Sequence, residues 1–209
     1  MAYTKSSIAV FLGIALIAAT SAYADDSPVD INRRIGSGNP ADGKDKAAPC
    51  KSCHGEDGNT AAPNIPKLAG QYADYIQRQI YNFQEGTRKD PNMTQISVTL
   101  TNRRNLADIA AYFASQNQMT GTPAKNETGK KLYLEKGCLN CHGEIGKGNR
   151  SYNAIFPVIG GQHKEYIVKQ LKDFKTGARA TDISEIMSLL ALQMTDTEIE
   201  AVADYLSSL

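Results

Sequence analysis

Two five-residue segments, Cys50-Lys51-Ser52-Cys53-His54 and Cys138-Leu139-Asn140-Cys141-His142, concentrate the side chains able to do chemistry. Cys-x-x-Cys-His is the spacing of covalent c-type haem attachment. Two cysteines three positions apart on one helical turn both reach the vinyl edge of a porphyrin. The adjoining histidine then swings beneath the ring and binds the iron. Together the segments use all 4 cysteines and leave no thiol for a disulfide.

His54 and His142 supply one axial ligand each, so the opposite face of each iron needs a soft or nitrogenous donor. His163 cannot serve two irons, and it reads as an ordinary surface or loop histidine. Methionine fits better. Met93 and Met187 precede Tyr112 and Tyr205 by nearly equal spacings and follow Arg88 and Arg179, which makes them counterparts. Met119 has no counterpart. Met194 is the rival of Met187, but it has a structural job. Thr195-Asp196-Thr197-Glu198 is a capping box, and Met194 and Ile199 form the hydrophobic staple around it. For an isolated methionine core packing is the default; the pairing of Met93 with Met187 argues against it.

The elements that hold these donors occur twice. Leu68-Ala69-Gly70-Gln71-Tyr72-Ala73-Asp74-Tyr75-Ile76 aligns with Ile159-Gly160-Gly161-Gln162-His163-Lys164-Glu165-Tyr166-Ile167. The match continues through Gln79 with Gln170, Phe83 with Phe174, Gly86 with Gly177 and Arg88 with Arg179. Tyr75, Gln79 and Phe83 share one helical face, as do Tyr166, Gln170 and Phe174. Gly86 and Gly177 mark helix ends. Leu106 to Ser115 and Ile199 to Leu206 read as amphipathic closing helices, and no alternating run is long enough for a strand. The chain is therefore all-α, a tandem duplication of a small helical domain. The expected boundaries are 25–118 and 127–209, with a polar, Gly- and Pro-containing linker at 119–126. Each unit has little apolar sequence, so a covalent haem would supply the missing apolar centre.

The second shell follows the same repeat. A carbonyl near Pro66 or Pro157 would accept the imidazole N–H and orient the histidine, although proline also serves plain turn chemistry. Arg88 and Arg179 fit haem propionates and equally fit solvated helix ends. In the first unit, the approach to Cys50 contains Pro40 and Pro49 and no large apolar residue. That predicts a poor helix there and a less protected haem.

Residues 1–24 read as a cleaved secretory leader. Lys5 is the charged region, Ile8 to Ala19 the apolar run, and Ala22-Tyr23-Ala24 the cleavage site. The run is too short to span a bilayer. The mature chain would begin near Asp25 in the periplasm. An exported thiol is normally oxidised, which suits cysteines consumed by haem. Beyond the leader the 22 acidic residues are balanced by as many basic ones. Neither half has the basic excess of a nucleic-acid binder.

From about Gly36 to Leu209 the chain resembles cytochrome c4, the two-haem cytochrome c family of bacterial periplasms. The resemblance rests on the two attachment motifs, the repeated Pro-x-Leu/Ile-x-Gly-Gln, the Gln-x3-Phe helices, the paired methionines and the Tyr-ended helices. It implies two cytochrome c folds joined face to face. One haem would take Cys50, Cys53, His54 and Met93, and the other Cys138, Cys141, His142 and Met187. It also implies a one-electron carrier, diffusible or loosely membrane-associated. Its partners would be a quinol–cytochrome c oxidoreductase or dehydrogenase and a haem–copper terminal oxidase. The competing readings are a dihaem subunit of a periplasmic oxidoreductase, a peroxidase, and a zinc or disulfide-exchange protein. A peroxidase should have one haem without methionine. Zinc ribbons bring their cysteine pairs within about 15–20 residues, far closer than the two motifs here.

Overall fold

A computed structural model describes residues 37–148, 156–182 and 185–209. The expected leader lies outside them. The first repeat contributes α1 (Pro40–Lys46), α2 (Ala48–His54), α3 (Ala73–Gln84), α4 (Pro91–Ser97) and α5 (Arg103–Ala114). The second contributes α6 (Glu127–Glu135), α7 (Cys138–His142), α8 (Lys164–Thr176), α9 (Ile186–Leu192) and α10 (Asp196–Ser207). Among the described residues there is no strand; the one β-bridge pairs Arg88 with Arg179. No helix of these residues is long and apolar enough to cross a membrane.

In each repeat the opening helix lies across the closing helix, α1 on α5 and α6 on α10. Glycine makes the crossing close. A Cβ on Gly43 would stand 1.9 Å from the Asp108 carbonyl oxygen, and one on Gly129 would stand 2.1 Å from that of Ala201. Both backbones occupy the space a side chain would need.

The helix before Cys50 forms, against the expectation from its prolines. Pro40 sits in the first turn of α1 and Pro49 in the first turn of α2, where a missing N–H costs nothing. Asn39 caps α1 by accepting from the Ala41 N–H at 3.0 Å. Asp108, fully buried on α5, accepts from the Asn39 N–H at 2.7 Å and from Lys46 Nζ at 2.6 Å. A buried carboxylate and a close crossing thus replace the large apolar residues that the segment lacks.

Other elements follow their sequence signals. The capping box at Thr195 and Glu198 starts α10, and Met194 and Ile199 are buried in one core cluster. Gly177 ends α8 in the left-handed region at φ 74°. The linker, by contrast, is packed rather than merely polar. Met119 is fully buried. Its N–H donates to Ala69 O at 3.0 Å, and its carbonyl accepts from Lys147 Nζ at 2.6 Å.

Candidate functional site

Helices α2 and α7 carry the attachment motifs, each ending at its histidine. Cys53 is exposed, while Cys50, Cys138 and Cys141 are half-buried, and all four thiols are free. Burial pushes the Cys50 and Cys138 thiols up to about 11. Among the described residues, no three His, Cys, Asp or Glu side chains converge as a metal-ion site.

Both histidines are buried and held alike. His54 Nδ1 lies 2.8 Å from Pro66 O, and His142 Nδ1 lies 2.9 Å from Pro157 O. A carbonyl only accepts, so Nδ1 carries the proton and Nε2 presents its lone pair. Desolvation pulls both imidazoles below the usual histidine range, against a smaller upward effect of the carbonyl bonds, and keeps the rings neutral. His142 Nε2 is buried with no hydrogen-bond partner. Such an orphaned acceptor is costly, and iron is the partner that would satisfy it. The residues fit haem.

The methionines stand on matching helices. Asp90 accepts from the Asn92 and Met93 N–H groups, both at 3.1 Å, and so caps α4. Asp182 accepts from the Met187 N–H at 2.6 Å and the Ser188 N–H at 3.2 Å, and so caps α9. In each case an aspartate shortly after the repeated arginine seats the helix that carries the methionine. Met93 packs beside Ile80, Tyr81 and Leu106. Met187 is partly buried against the cluster that Cys138 also joins. Met194 is 2% exposed inside that cluster, as its staple role requires.

Arg88 and Arg179 are buried between the repeats and are not solvated helix ends. Arg88 donates to Gln79 Oε1 at 2.8 Å, Tyr166 Oη at 2.7 Å and Gln170 Oε1 at 2.9 Å. Arg179 reciprocates with Gln170 Oε1 at 2.7 Å, Tyr75 Oη at 3.0 Å and Gln79 Oε1 at 3.1 Å. The guanidiniums stack on Phe83 and Phe174. Among the described residues neither forms a carboxylate ion pair within 4.0 Å.

The repeated Gln of Gly-Gln has a role that its sequence did not disclose. Gln71 Nε2 donates to Val158 O at 2.8 Å, and its Oε1 accepts from the Val158 N–H at 3.0 Å. Gln162 does the same to Lys67, at 2.9 Å in both directions. Their neighbours also bridge the repeats: His163 Nε2–H donates to Thr60 O at 2.8 Å, and Tyr72 packs on Gly148. His163 is therefore an interface residue. Its position opposite Tyr72 in the repeat was the available signal.

A family model described as cytochrome c matches residues 40–117 and again 126–209. Cytochrome c4 of Pseudomonas aeruginosa is 40% identical over 182 residues, covering 82% of this chain and 89% of that one. A thiosulfate dehydrogenase electron acceptor of Stutzerimonas stutzeri is 32% identical over 185 residues, covering 83% and 82%. The crystal structure of reduced recombinant cytochrome c4 from Pseudomonas stutzeri matches with a TM-score of 0.76 at 38% identity, over 83% of this chain and 100% of that one.

Proposed function

Because the chain belongs to the cytochrome c4 family and takes two covalent haem c groups, we propose that it carries electrons in a periplasmic respiratory chain, with His54/Met93 and His142/Met187 as the axial pairs. The observation that carries this reading is the pair of neutral, carbonyl-anchored imidazoles, one with an orphaned Nε2, each accompanied by a methionine on an aspartate-capped helix. Haem iron supplies one-electron exchange between its ferric and ferrous forms. With His54 and Met93, and His142 and Met187, as its ligands, each iron would have no open position for substrate. Methionine opposite histidine would raise the potential.

Residues 1–24 act as the export leader, 25–118 and 127–209 as the two haem domains, and 119–126 as their join. Arg88 and Arg179 pair with haem propionates. Among the described residues the two buried guanidiniums donate to amide, phenol and hydroxyl oxygens and have no carboxylate within ion-pair distance, whereas buried cations normally require a counter-charge. Electrons enter from a quinol–cytochrome c oxidoreductase or dehydrogenase and leave to a terminal oxidase, with the carrier diffusible or loosely membrane-associated.

Replacing Met93 or Met187 by alanine should each abolish half of the far-red sulfur–iron absorption. Met194→Ala should leave it intact while lowering stability. Loss of the band in Met194→Ala and its retention in Met187→Ala would reverse the assignment. A haem count with redox titration should give two haems and two high potentials. A five-coordinate haem with peroxide turnover would instead support a peroxidase.

A second reading rests on the thiosulfate dehydrogenase electron acceptor relative. On that reading the immediate donor is a periplasmic oxidoreductase. Stopped-flow reduction by each purified donor separates the two: the physiological donor reduces the protein much faster at equal concentration.

A further inference from the structure

We propose that Gln71 and Gln162 are crossed positioning residues, each setting the axial histidine, and so the redox potential, of the haem carried by the other repeat. The inference rests on the dihaem reading above and concerns the chain's own hydrogen bonds. Lys67 N–H and Pro66 C=O belong to one peptide unit, as do Val158 N–H and Pro157 C=O. Gln162 Oε1 accepts from that peptide on its nitrogen side at 2.9 Å, and His54 Nδ1–H donates to it on its oxygen side at 2.8 Å. Gln71 Oε1 and His142 occupy the same two sides of the peptide joining Pro157 to Val158, at 3.0 and 2.9 Å. Each chain of bonds therefore runs from an amide in one repeat, through a single planar peptide, to the imidazole of the other.

Such a chain is cooperative. Accepting from the peptide N–H draws electron density toward its carbonyl oxygen, which then holds the imidazole N–H more strongly. A more strongly held Nδ1–H makes the ring a more basic iron ligand, which favours the ferric state. Burial sustains the effect: Gln71 is 4% exposed, Gln162 5% and Val158 2%. Each glutamine is locked as well. Gln71 Oε1 also accepts from the Tyr72 N–H, and Gln162 Oε1 from the His163 N–H, both at 3.0 Å. The second hydrogen bond of each clamp, from Nε2 to the carbonyl of Val158 or Lys67, holds the next peptide along the chain, so that Val158 and Lys67 are gripped on both their N–H and C=O sides.

The test is a redox titration of the doubly haem-loaded Gln71→Leu and Gln162→Leu proteins, with each couple assigned to its repeat. It is paired with the 15N-histidine Nδ1–H resonances of the ferrous form. Gln71→Leu should raise the potential of the haem bound to His142, shift the His142 Nδ1–H resonance, and leave the haem bound to His54 nearly unmoved. Gln162→Leu should do the reverse. Only the part of the lost strength that differs between the ferric and ferrous forms moves the potential, so losing 10–30% of a hydrogen bond formed in apolar surroundings should raise the ferrous-to-ferric ratio by roughly fivefold or less at fixed solution potential. Methionine at either position, of similar length and without hydrogen bonds, gives the same crossed pattern where leucine hinders folding. A shift confined to the mutated repeat, an equal shift of both haems, or no shift with both haems present would overturn the proposal. Failure to bind two haems through His54 and His142 in the unmodified protein would instead overturn the dihaem reading.

Discussion

The opening helix of the first repeat, α1, is held to its closing helix by a buried carboxylate; the opening helix of the second, α6, is held by an aromatic residue. Asp108 gathers the Asn39 N–H and the Lys46 ammonium under α1. At the corresponding place on α10, the Ala201 carbonyl and the Asp204 carboxylate accept from Asn126 Nδ2 at 3.3 and 2.6 Å. Four residues beyond the crossing glycines, Gly43 and Gly129, stand Ala47 and Tyr133, both fully buried. Tyr133 stacks on Tyr205 at 5.7 Å between centroids. In the first repeat Tyr112, the counterpart of Tyr205, instead stacks edge-on against Phe113. One crossing geometry is thus reached by a small residue with a buried charge or by a large ring with an asparagine. What the two solutions share is the glycine; they differ in whether the carboxylate at the crossing is buried, as Asp108 is, or partly exposed, as Asp204 is, and in sensitivity to loss of volume.

The largest expected effect follows from that difference. Tyr133→Ala should open a cavity and destabilise the second repeat by about 3–5 kcal/mol, the usual cost of deleting a buried aromatic. Thermal unfolding followed at each haem should show the first repeat nearly unaffected. Equal destabilisation of both would mean that the repeats unfold as one unit. The shared element ranks next. Gly43→Ala and Gly129→Ala should each force its helix pair apart, at a cost of about 1–3 kcal/mol. A smaller loss at Gly43 than at Gly129 would indicate that α1 yields more easily, as its lack of large side chains suggests.

Much of this was legible in the sequence. The attachment motifs, the duplication, the capping box at Thr195 and the helix end at Gly177 are local patterns, each with a mechanism that acts over a few residues. Helix α1 was misjudged because its stability is not local: a segment with Pro40, Pro49 and no large apolar residue reads as a poor helix until Asp108 is brought against it. The glutamine clamp was hidden for a related reason. Gln71 is both donor and acceptor, and its partner is a backbone group at Val158 that carries no sequence signature. The repetition of Gln71 as Gln162 showed that the position matters without showing why. Arg88 and Arg179 stood between two readings, because burial at an interface cannot be read from spacing.

Acid should separate the repeats further. The hydrogen bond from the Asn39 N–H, then the Lys46 ammonium, hold the Asp108 carboxyl below its ordinary value of 3.8. A depressed folded value means that the group stabilises the fold fully above its unfolded pKa and loses that contribution as pH falls through the lowered one. Below about pH 4 the first repeat should therefore weaken as Asp108 takes up its proton. Asp108→Asn should remove this part of the pH dependence and lower the stability of the first repeat at neutral pH. Circular dichroism of the variant across pH 2–7 checks both. An unchanged acid profile would assign the transition to other carboxylates.

The smallest effect tests how each repeat ties down the loop after its attachment motif. In the first, the closing helix does it: Tyr112 Oη–H donates to Glu56 O at 2.8 Å. In the second, the opening helix does it: Tyr133 Oη–H donates to Gly143 O at 2.6 Å. Phenylalanine keeps each ring and removes only the hydroxyl, so each substitution should cost about 1 kcal/mol. The cost should appear locally, as faster amide exchange around Gly58 in Tyr112→Phe and around Gly146 in Tyr133→Phe. Those glycines matter because their carbonyls accept the backbone N–H groups of Leu68 and Ile159, both at 2.8 Å. Leu68 and Ile159 closely follow Pro66 and Pro157, whose carbonyls hold the iron-binding histidines. A tyrosine hydroxyl on opposite helices in the two repeats therefore supports the same stretch of backbone, and its loss should loosen the histidine anchor of its own repeat while leaving the other in place.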